Sequence, residues 1–518
     1  MRILRTLPLL SFVVLILSAC STSKITTTTY GKADGKVEWI FFQLNDVYEI
    51  SPTENGKAGG MARVATIRQK LLNENPNTYT VLSGDFLSPS VIGTLKYEGK
   101  GIKGRQMVEV MNALGVNLVC FGNHEFDLDY VDLQARMDES KFEWISSNAF
   151  HKQGENIAPF HRTGSDDFFD EYKVLNIKDG SSGEAIKVGI WSVVLDANKK
   201  DYIYYSDLFE RSKSIIDSVL SKEVQVIAGV THVAVETDKE LAKENPSVSL
   251  IMGGHEHNNM RHVVGKTVIT KADANAKTAY IHRCSYSLKT KQVTISSELV
   301  KIDDSIAEEP TVAAVVKKWE DIMTTAFKAQ GFNPDEMIAE VSEPLDGREA
   351  SIRLTQTNLG AAIAKSMSDA AKKPVDCSFF NSGSIRIDDQ VQGKLTQADI
   401  VRIMPFGGKV VEFDIKGSEL KKVLLAGLLS KGRGGYLQWD KISYEDATKT
   451  LKINGSPLDE SKTYHCATND FLLSGRETNF DFFNEKNPAI SNIDKTTDAS
   501  DIRIDIRKTF IAYLKNKK

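Results

Sequence analysis

The sequence predicts two domains of mixed α/β and α+β type joined by a helix, and three observations carry that expectation. At 518 residues the chain exceeds what one ordinary hydrophobic core supports. From Val37 to about Met252 short apolar runs alternate with amphipathic helical stretches, the pattern of a layered sheet-and-helix domain. Past residue 330 a second mixed pattern begins, set off from the first by one long helical stripe. With 41% hydrophobic and 26% charged residues, the composition is globular and excludes wholesale disorder.

The first twenty residues differ in character from the remainder of the chain. Arg2 and Arg5 precede an apolar run that ends in Leu17-Ser18-Ala19-Cys20, a basic, then apolar, then small-residue order that marks a secretory signal. The run is too short for a transmembrane span. Leu-Ser-Ala-Cys resembles a bacterial lipoprotein signal, in which cleavage leaves the cysteine at the new N-terminus for lipid attachment. The expectation is a signal peptide over 1–19, a Ser/Thr-rich tether over 20–36 and a protein exported to a bacterial cell envelope, lipid-anchored at Cys20. A plain secretory peptide with an incidental cysteine is the alternative. Cleavage there leaves 63 basic against 69 acidic residues, a net charge of −6. No basic stripe marks a nucleic-acid polymer as partner. Cys120, Cys284, Cys377 and Cys466 lack CxxC spacing and are read as buried small hydrophobes, with no pairing deducible.

In the first domain the strand candidates are 39–44, 79–83, 116–121, 187–193, 224–229 and 248–252, with helices over 61–72, 105–114 and 212–220. Residues 266–301 read as several short antiparallel strands. Val312, Val315, Trp319, Ile322, Met323 and Phe327 keep the 3–4 spacing of one helical face, which predicts a connecting helix over about 307–330. Asp303 and Ser305 are its cap candidates, with Pro310 in its first turns. The second domain reads as helix 354–367, strand 375–380, helix 417–429 and a closing helix over 505–515.

Five polar segments follow the apolar runs: Asn45-Asp46-Val47-Tyr48, Gly84-Asp85, Gly122-Asn123-His124-Glu125, Thr231-His232 and Gly253-Gly254-His255-Glu256-His257. In open α/β sheets the C-terminal strand ends converge on one crevice, so such segments can meet. Carboxylate, amide oxygen and imidazole suit borderline divalent ions such as Zn, Mn, Fe or Co. A bridging carboxylate can hold two ions about 3.5–4 Å apart. His-x-His alone is often a surface pair; four of nine histidines within these segments is what points to a two-metal site.

The ordered set resembles the calcineurin-like metallophosphoesterase superfamily, whose pattern runs D-x-H, G-D, G-N-H-[ED], H, G-H-x-H. More narrowly it resembles the 5′-nucleotidase family, and the likeness covers almost the whole chain after the signal. It implies a four-layer αββα catalytic domain over 37–305, a connecting segment over 306–340 and a mixed α/β substrate-binding domain over 341–518. It also implies that Asp46, Asp85 and His257 hold one metal, with Asp85 bridging to a second held by Asn123, His232 and His255. His124 would face the phosphoryl group, and the reaction would be in-line attack by a metal-activated water. Asp127 stands where it can orient His124 or equally cap a loop. Tyr48 departs from the pattern, which has histidine there. It can bind as phenolate, hydrogen-bond a metal-bound water, or leave the first site weak or empty.

The second half resembles the 5′-nucleotidase C-terminal domain through Arg353 ahead of Asn358-Leu359-Gly360, the loop Asn381 to Arg386, Pro405-Phe406-Gly407-Gly408, Gly435-Tyr436-Leu437-Gln438 and Asn469-Asp470-Phe471-Leu472. Arg353, Arg386 and Asn381 suit a phosphorylated ligand, and Phe406 and Phe471 can clamp a flat base. Gly475-Arg476-Glu477 stands where the family has G-G-D, so Glu477 replaces an aspartate and Arg476 a glycine. The functional expectation is a nucleotide-hydrolysing phosphoesterase with two divalent ions and a small phosphoester as partner, membrane contact being through the lipid alone. The alternatives are hydrolysis of 2′,3′-cyclic nucleotides, nucleotide sugars or sugar phosphates, and a weakly active nucleotide-binding surface protein.

Overall fold

The computed structural model describes residues 34–517 except 55, 181 and 388. The signal segment, Cys20 and nearly all of the expected tether lie outside the described residues.

Two six-stranded sheets stack face to face in the first half. One runs, in spatial order, Gln292–Lys301, Thr278–Ser287, Lys36–Leu44, Thr78–Ser83, Leu118–Cys120 and Glu143–Ile145. The other runs Met260–Val264, Thr267–Lys271, Val248–Gly253, Val226–His232, Ala185–Val194 and Tyr172–Lys178. Period-two alternation assigns each side chain to a layer. Trp39 and Phe41 enter the core between the sheets with Val81, Ile190, Val230 and Met252. Ile40, Phe42 and Leu44 face the helices Met61–Glu74 and Arg105–Leu114 instead. Helices Leu208–Leu220 and Val235–Glu244 cover the far side of the second sheet. This is the expected helix–sheet–sheet–helix order.

The central strands of both sheets pair in parallel, so their C-terminal ends lie on common edges and bring the five polar segments together. One local expectation is corrected. Thr267–Lys271 pairs in parallel with Val248–Gly253, although it is antiparallel to Met260–Val264. A short alternating run carries no direction, and the intervening hairpin decides it.

The connecting helix spans Pro310–Ala329 and buries Val312, Val316, Trp319 and Phe327. Its cap is Glu309, whose carboxylate accepts from Val312 N at 2.8 Å. Asp303 and Ser305 instead bond to each other in the preceding turn. Pro310 is the first helical residue, where its missing N–H is no loss. Trp319 Nε1 donates to Glu109 of the first half at 3.1 Å, and one apolar core continues from there through Phe327 and Phe332 to Leu359 and Phe510.

The second half centres on a five-stranded sheet in the order Leu437–Asp440, Cys377–Asn381, Thr463–Asn469, Val410–Lys416, Ile490–Lys495. Helices Asn358–Ala370 and Ile506–Asn516 contribute to the core continuous with the first half, whereas Gly417–Leu429 packs into the sheet's other core. The predicted helix from 354 begins later, at Asn358. Thr357 caps it, and buried Gln438 donates to Ile352 O and Thr355 O while accepting from Thr357 N. That one amide holds open the break after the short helix Glu349–Ile352. The four cysteines are buried and unbridged, with Cys377 and Cys466 opposite each other on parallel strands, Sγ to Sγ 3.5 Å.

Candidate metal centre and active site

Four of the candidate site's residues adopt left-handed backbone conformations. Asp46, Asp85, His255 and His257 have φ of 54°, 57°, 98° and 61°. A left-handed non-glycine residue costs of order 1–3 kcal/mol and persists where its surroundings over-determine it. Glycines admit the close approach: a Cβ on Gly122 would lie 2.1 Å from Asp85 Oδ1, and one on Gly254 would lie 2.3 Å from Ser83 O.

The side chains of Asp46, Asp85, Asn123 and His232 are buried. Asp46 Oδ1 stands 3.4 Å from His257 Nε2 and 3.9 Å from His232 Nε2, while its Oδ2 accepts from His255 N at 2.9 Å. Asp85 Oδ2 lies 3.1 Å from His232 Nε2, and Asp85 Oδ1 accepts from His124 N at 2.8 Å. Asp46, Asp85 and His257 each present a ligand atom within 4.8 Å of the others. His232 Nδ1 donates to Ser83 O at 2.8 Å, which fixes the tautomer and leaves Nε2 as the ligand nitrogen.

Buried polar atoms that lack a hydrogen-bond partner among the described residues test whether a cation fits. Asp46 Oδ1 and Asn123 Oδ1 are such atoms, clustered here, beside His232 Nε2, which faces the Asp85 carboxylate at 3.1 Å. Unmet oxygens of this kind are costly unless a bound species satisfies them, and two oxygens beside an imidazole suit a divalent ion. Burial lowers the affinity of His232 for a proton, but Asp85 and Asp46 outweigh it and hold the ring at about 9. The two carboxylates thus call for a positive charge at this spot.

Tyr48 reaches into the same cluster. Its hydroxyl donates to Asp85 Oδ2 at 2.9 Å and lies 3.0 Å from His257 Nε2. Burial first, then the Asp85 and Asp46 charges, push the phenol well above its ordinary range. The tyrosine therefore contacts two candidate ligands directly.

His124 Nδ1 pairs with Asp127 Oδ2 at 2.8 Å. Asp127 is itself held by Asn198 Nδ2 at 2.9 Å and Ser88 Oγ at 3.1 Å. Burial would lower the His124 pKa, but Asp127 and Asp85 together raise it to about 9. These carboxylates favour the protonated ring.

Three supports escaped the sequence reading. Glu125, fully buried, accepts from the backbone N–H groups of Asp85, Phe86, Leu87 and Gly122 at 2.7–3.0 Å, tying the Asp85 loop to the Asn123–His124 loop. Lys271, also fully buried, pairs with Asp238 at 3.0 Å and with Glu256, and donates to Gly254 O at 2.8 Å. Asn198 joins Asp127 to Asn123 O. Only Glu125 lies inside a recognised segment; the other two carry no local signal.

On the substrate side, Arg353 and Arg386 line one cleft with Tyr48, His124 and His257, so both halves meet over the centre. Phe406, 57% exposed, lines an adjoining hollow with Asp127 and packs against the Arg386 guanidinium, 5.4 Å from ring centre to Cζ. Asn381, Phe471 and Glu477 belong to a second group. Asn381 Nδ2 donates to Glu477 at 2.8 Å, Asn469 bonds Asn381 at 3.0 Å, and Arg476 stacks on the Phe471 ring at 5.4 Å.

Residues 41–259 match the calcineurin-like phosphoesterase family, and residues 337–485 match the 5′-nucleotidase C-terminal domain. The chain belongs to the 5′-nucleotidase family of calcineurin-like phosphoesterases. Membership makes it a phosphoric ester hydrolase of a divalent-metal-dependent family. It is 24% identical over 467 residues to the 5′-nucleotidase of Bos taurus, covering 80% of this chain and 78% of that one. It is equally 24% identical, over 422 residues, to the trifunctional nucleotide phosphoesterase protein YfkN of Bacillus subtilis (strain 168). That match covers 71% of this chain but 28% of the longer relative. The crystal structure of a 5′-nucleotidase precursor from Thermus thermophilus superposes with a TM-score of 0.70 at 20% identity, over 92% of this chain and 96% of that one, which shows a shared fold.

Proposed function

We propose that this protein hydrolyses nucleoside phosphates, releasing phosphate by in-line attack of water at a two-metal centre. Asp46, Asp85 and His257 would hold one ion, and Asp85, Asn123, His232 and His255 the other. Bound divalent cations supply Lewis-acid polarisation of the phosphoryl oxygens and lower the pKa of the attacking water. Protonated His124, locked by Asp127, presents its Nε2 proton to the departing ester oxygen. Arg386 and Arg353 bind phosphate oxygens from the opposite wall, and Phe406 and Phe471 receive the base. The observation that carries this reading is the cleft in which two arginines of one half face His124 and His257 of the other.

Phosphate release from AMP, ATP, UDP-glucose, a 2′,3′-cyclic nucleotide and glucose phosphates tests it, alongside metal content of the purified protein. Turnover of a sugar phosphate with none of any nucleotide overturns the substrate assignment. Absence of both metal and turnover after reconstitution favours the binding-protein alternative. A second reading, for nucleotide sugars or sugar phosphates, draws on the engagement of Glu477 by Asn381 and of Phe471 by Arg476, which alters the nucleoside end. Metal analysis of the wild type and Tyr48→His examines the first ion position: if Tyr48 weakens it, the histidine variant binds more metal per chain. The same proposal includes export and lipid attachment at Cys20, testable by mass spectrometry of the N-terminal peptide. Among the described residues no helix is long and apolar enough to cross a membrane.

A further inference from the structure

The cleft over the metal centre carries an acid beside its two arginines. Glu349 opens the short helix Glu349–Ile352, four residues before Arg353, and shares the cleft lining with Tyr48, His124, His257, Arg353 and Arg386. Its Oε1 accepts from Arg353 Nε at 3.0 Å, and Arg353 Nη1 donates to Ser382 Oγ at 3.3 Å. Two of the three Arg353 nitrogens are therefore already bonded within the protein. Arg386 differs, because its buried Nε has no hydrogen-bond partner among the described residues. Burial would raise the Glu349 carboxyl, but Arg353, His124, His257 and Arg386 hold it at about 2, so it is an anion across the working range. Its side chain keeps 45% exposure, which lets it respond to whatever enters.

A phosphate brought to this cleft competes for the Arg353 guanidinium, whose Nε Glu349 already holds. We propose that Glu349 is a specificity-determining residue: its carboxylate occupies an anion position on Arg353 and disfavours ligands in proportion to their negative charge, so that the cleft prefers a single phosphate group to a polyphosphate. This rests on the reading of the cleft as the phosphoester site. Like charges set face to face discriminate between ligands more than they alter the common binding energy. The competing role is purely structural, with Glu349 steadying Arg353, and the two predict opposite signs.

The test measures binding of inorganic phosphate and of non-hydrolysable phosphonate analogues of AMP and ATP to the metal-loaded full-length protein by calorimetry, for wild type, Glu349→Gln and Glu349→Asp. Removing one charge about 5 Å from a dianion is expected to tighten phosphate binding about tenfold or more in Glu349→Gln. The gain should be larger for the ATP analogue than for the AMP analogue, at unchanged metal content, and Glu349→Asp should retain the wild-type preference. Equal or weaker binding of all three by Glu349→Gln overturns the proposal in favour of the steadying role. Tighter inorganic phosphate with neither nucleotide analogue bound supports the role of Glu349 and refutes the nucleotide assignment instead.

Discussion

Replacing Glu125 with glutamine tests how the two catalytic loops are joined. The carboxylate takes two backbone N–H donors on each oxygen: Asp85 and Gly122 on Oε2, Phe86 and Leu87 on Oε1. A glutamine of the same shape keeps one oxygen and turns an NH2 toward the other pair, so two buried donors lose their acceptor. Each unmet buried donor costs about 1–3 kcal/mol, and the remaining bonds lose their charge assistance. The expected destabilisation is about 4 kcal/mol, a large share of the roughly 5–15 kcal/mol typical of a folded domain. Urea unfolding followed by tryptophan fluorescence, in chelator so that metal affinity does not enter, reads it directly. Glu298→Gln, which removes an exposed partner of Arg283, serves as control at under about 1 kcal/mol. If Glu125→Gln falls within about 1 kcal/mol of wild type, the clamp assignment is wrong.

Three further outcomes are expected. Asp127→Asn and His124→Ala should each lower kcat, His124→Ala by about 100-fold or more, with metal content by mass spectrometry unchanged; loss of metal from either would refute their placement outside the ligand set. Lys271→Met leaves Asp238 and Glu256 without their buried cation and should cost about 3–5 kcal/mol in unfolding experiments, accompanied by weaker metal binding as the His255–His257 loop loosens; a neutral result would refute the role of that network. Burial, with Arg261 adding to it, lowers His282 to about 3. A group so depressed contributes stability that is full above about pH 6.5 and lost as pH falls toward 3, which amounts to about 2 kcal/mol between pH 7 and 5. The His282→Gln variant should show a flatter stability profile over that interval, and an unchanged slope would exclude the histidine as its source.

The legible part of the site was its ligand chemistry. Asp46, Asp85, Asn123, His124, His232, His255 and His257 are recognisable because each sits just past or at the end of an apolar run, and a run plus a polar tip is a local pattern. What holds those residues was not legible. Glu125 reaches a loop about forty positions away, Lys271 ties together the loops after two strands, and Asn198 comes from a segment with no motif. The corrections have the same origin. The direction of Thr267–Lys271 and the start of the helix at Asn358 depend on a hairpin and on the Gln438 amide, neither of which the residues at those positions encode.

By itself, the sequence carried the layered architecture, the candidate ligand residues and the departure at Tyr48. The layers and the polar segments at strand ends follow from the order of polar and apolar residues, which is already written along one dimension, whereas Tyr48 stands out only against the family pattern that the chain resembles. The tertiary structure alone decided what Tyr48 touches, that Asp127 bonds His124, and that Glu349 shares a cleft with His124 and His257. Tyr48 and Glu349 stand about three hundred positions apart in the sequence, and only the packing of one sheet system against the other sets their electrostatic interaction.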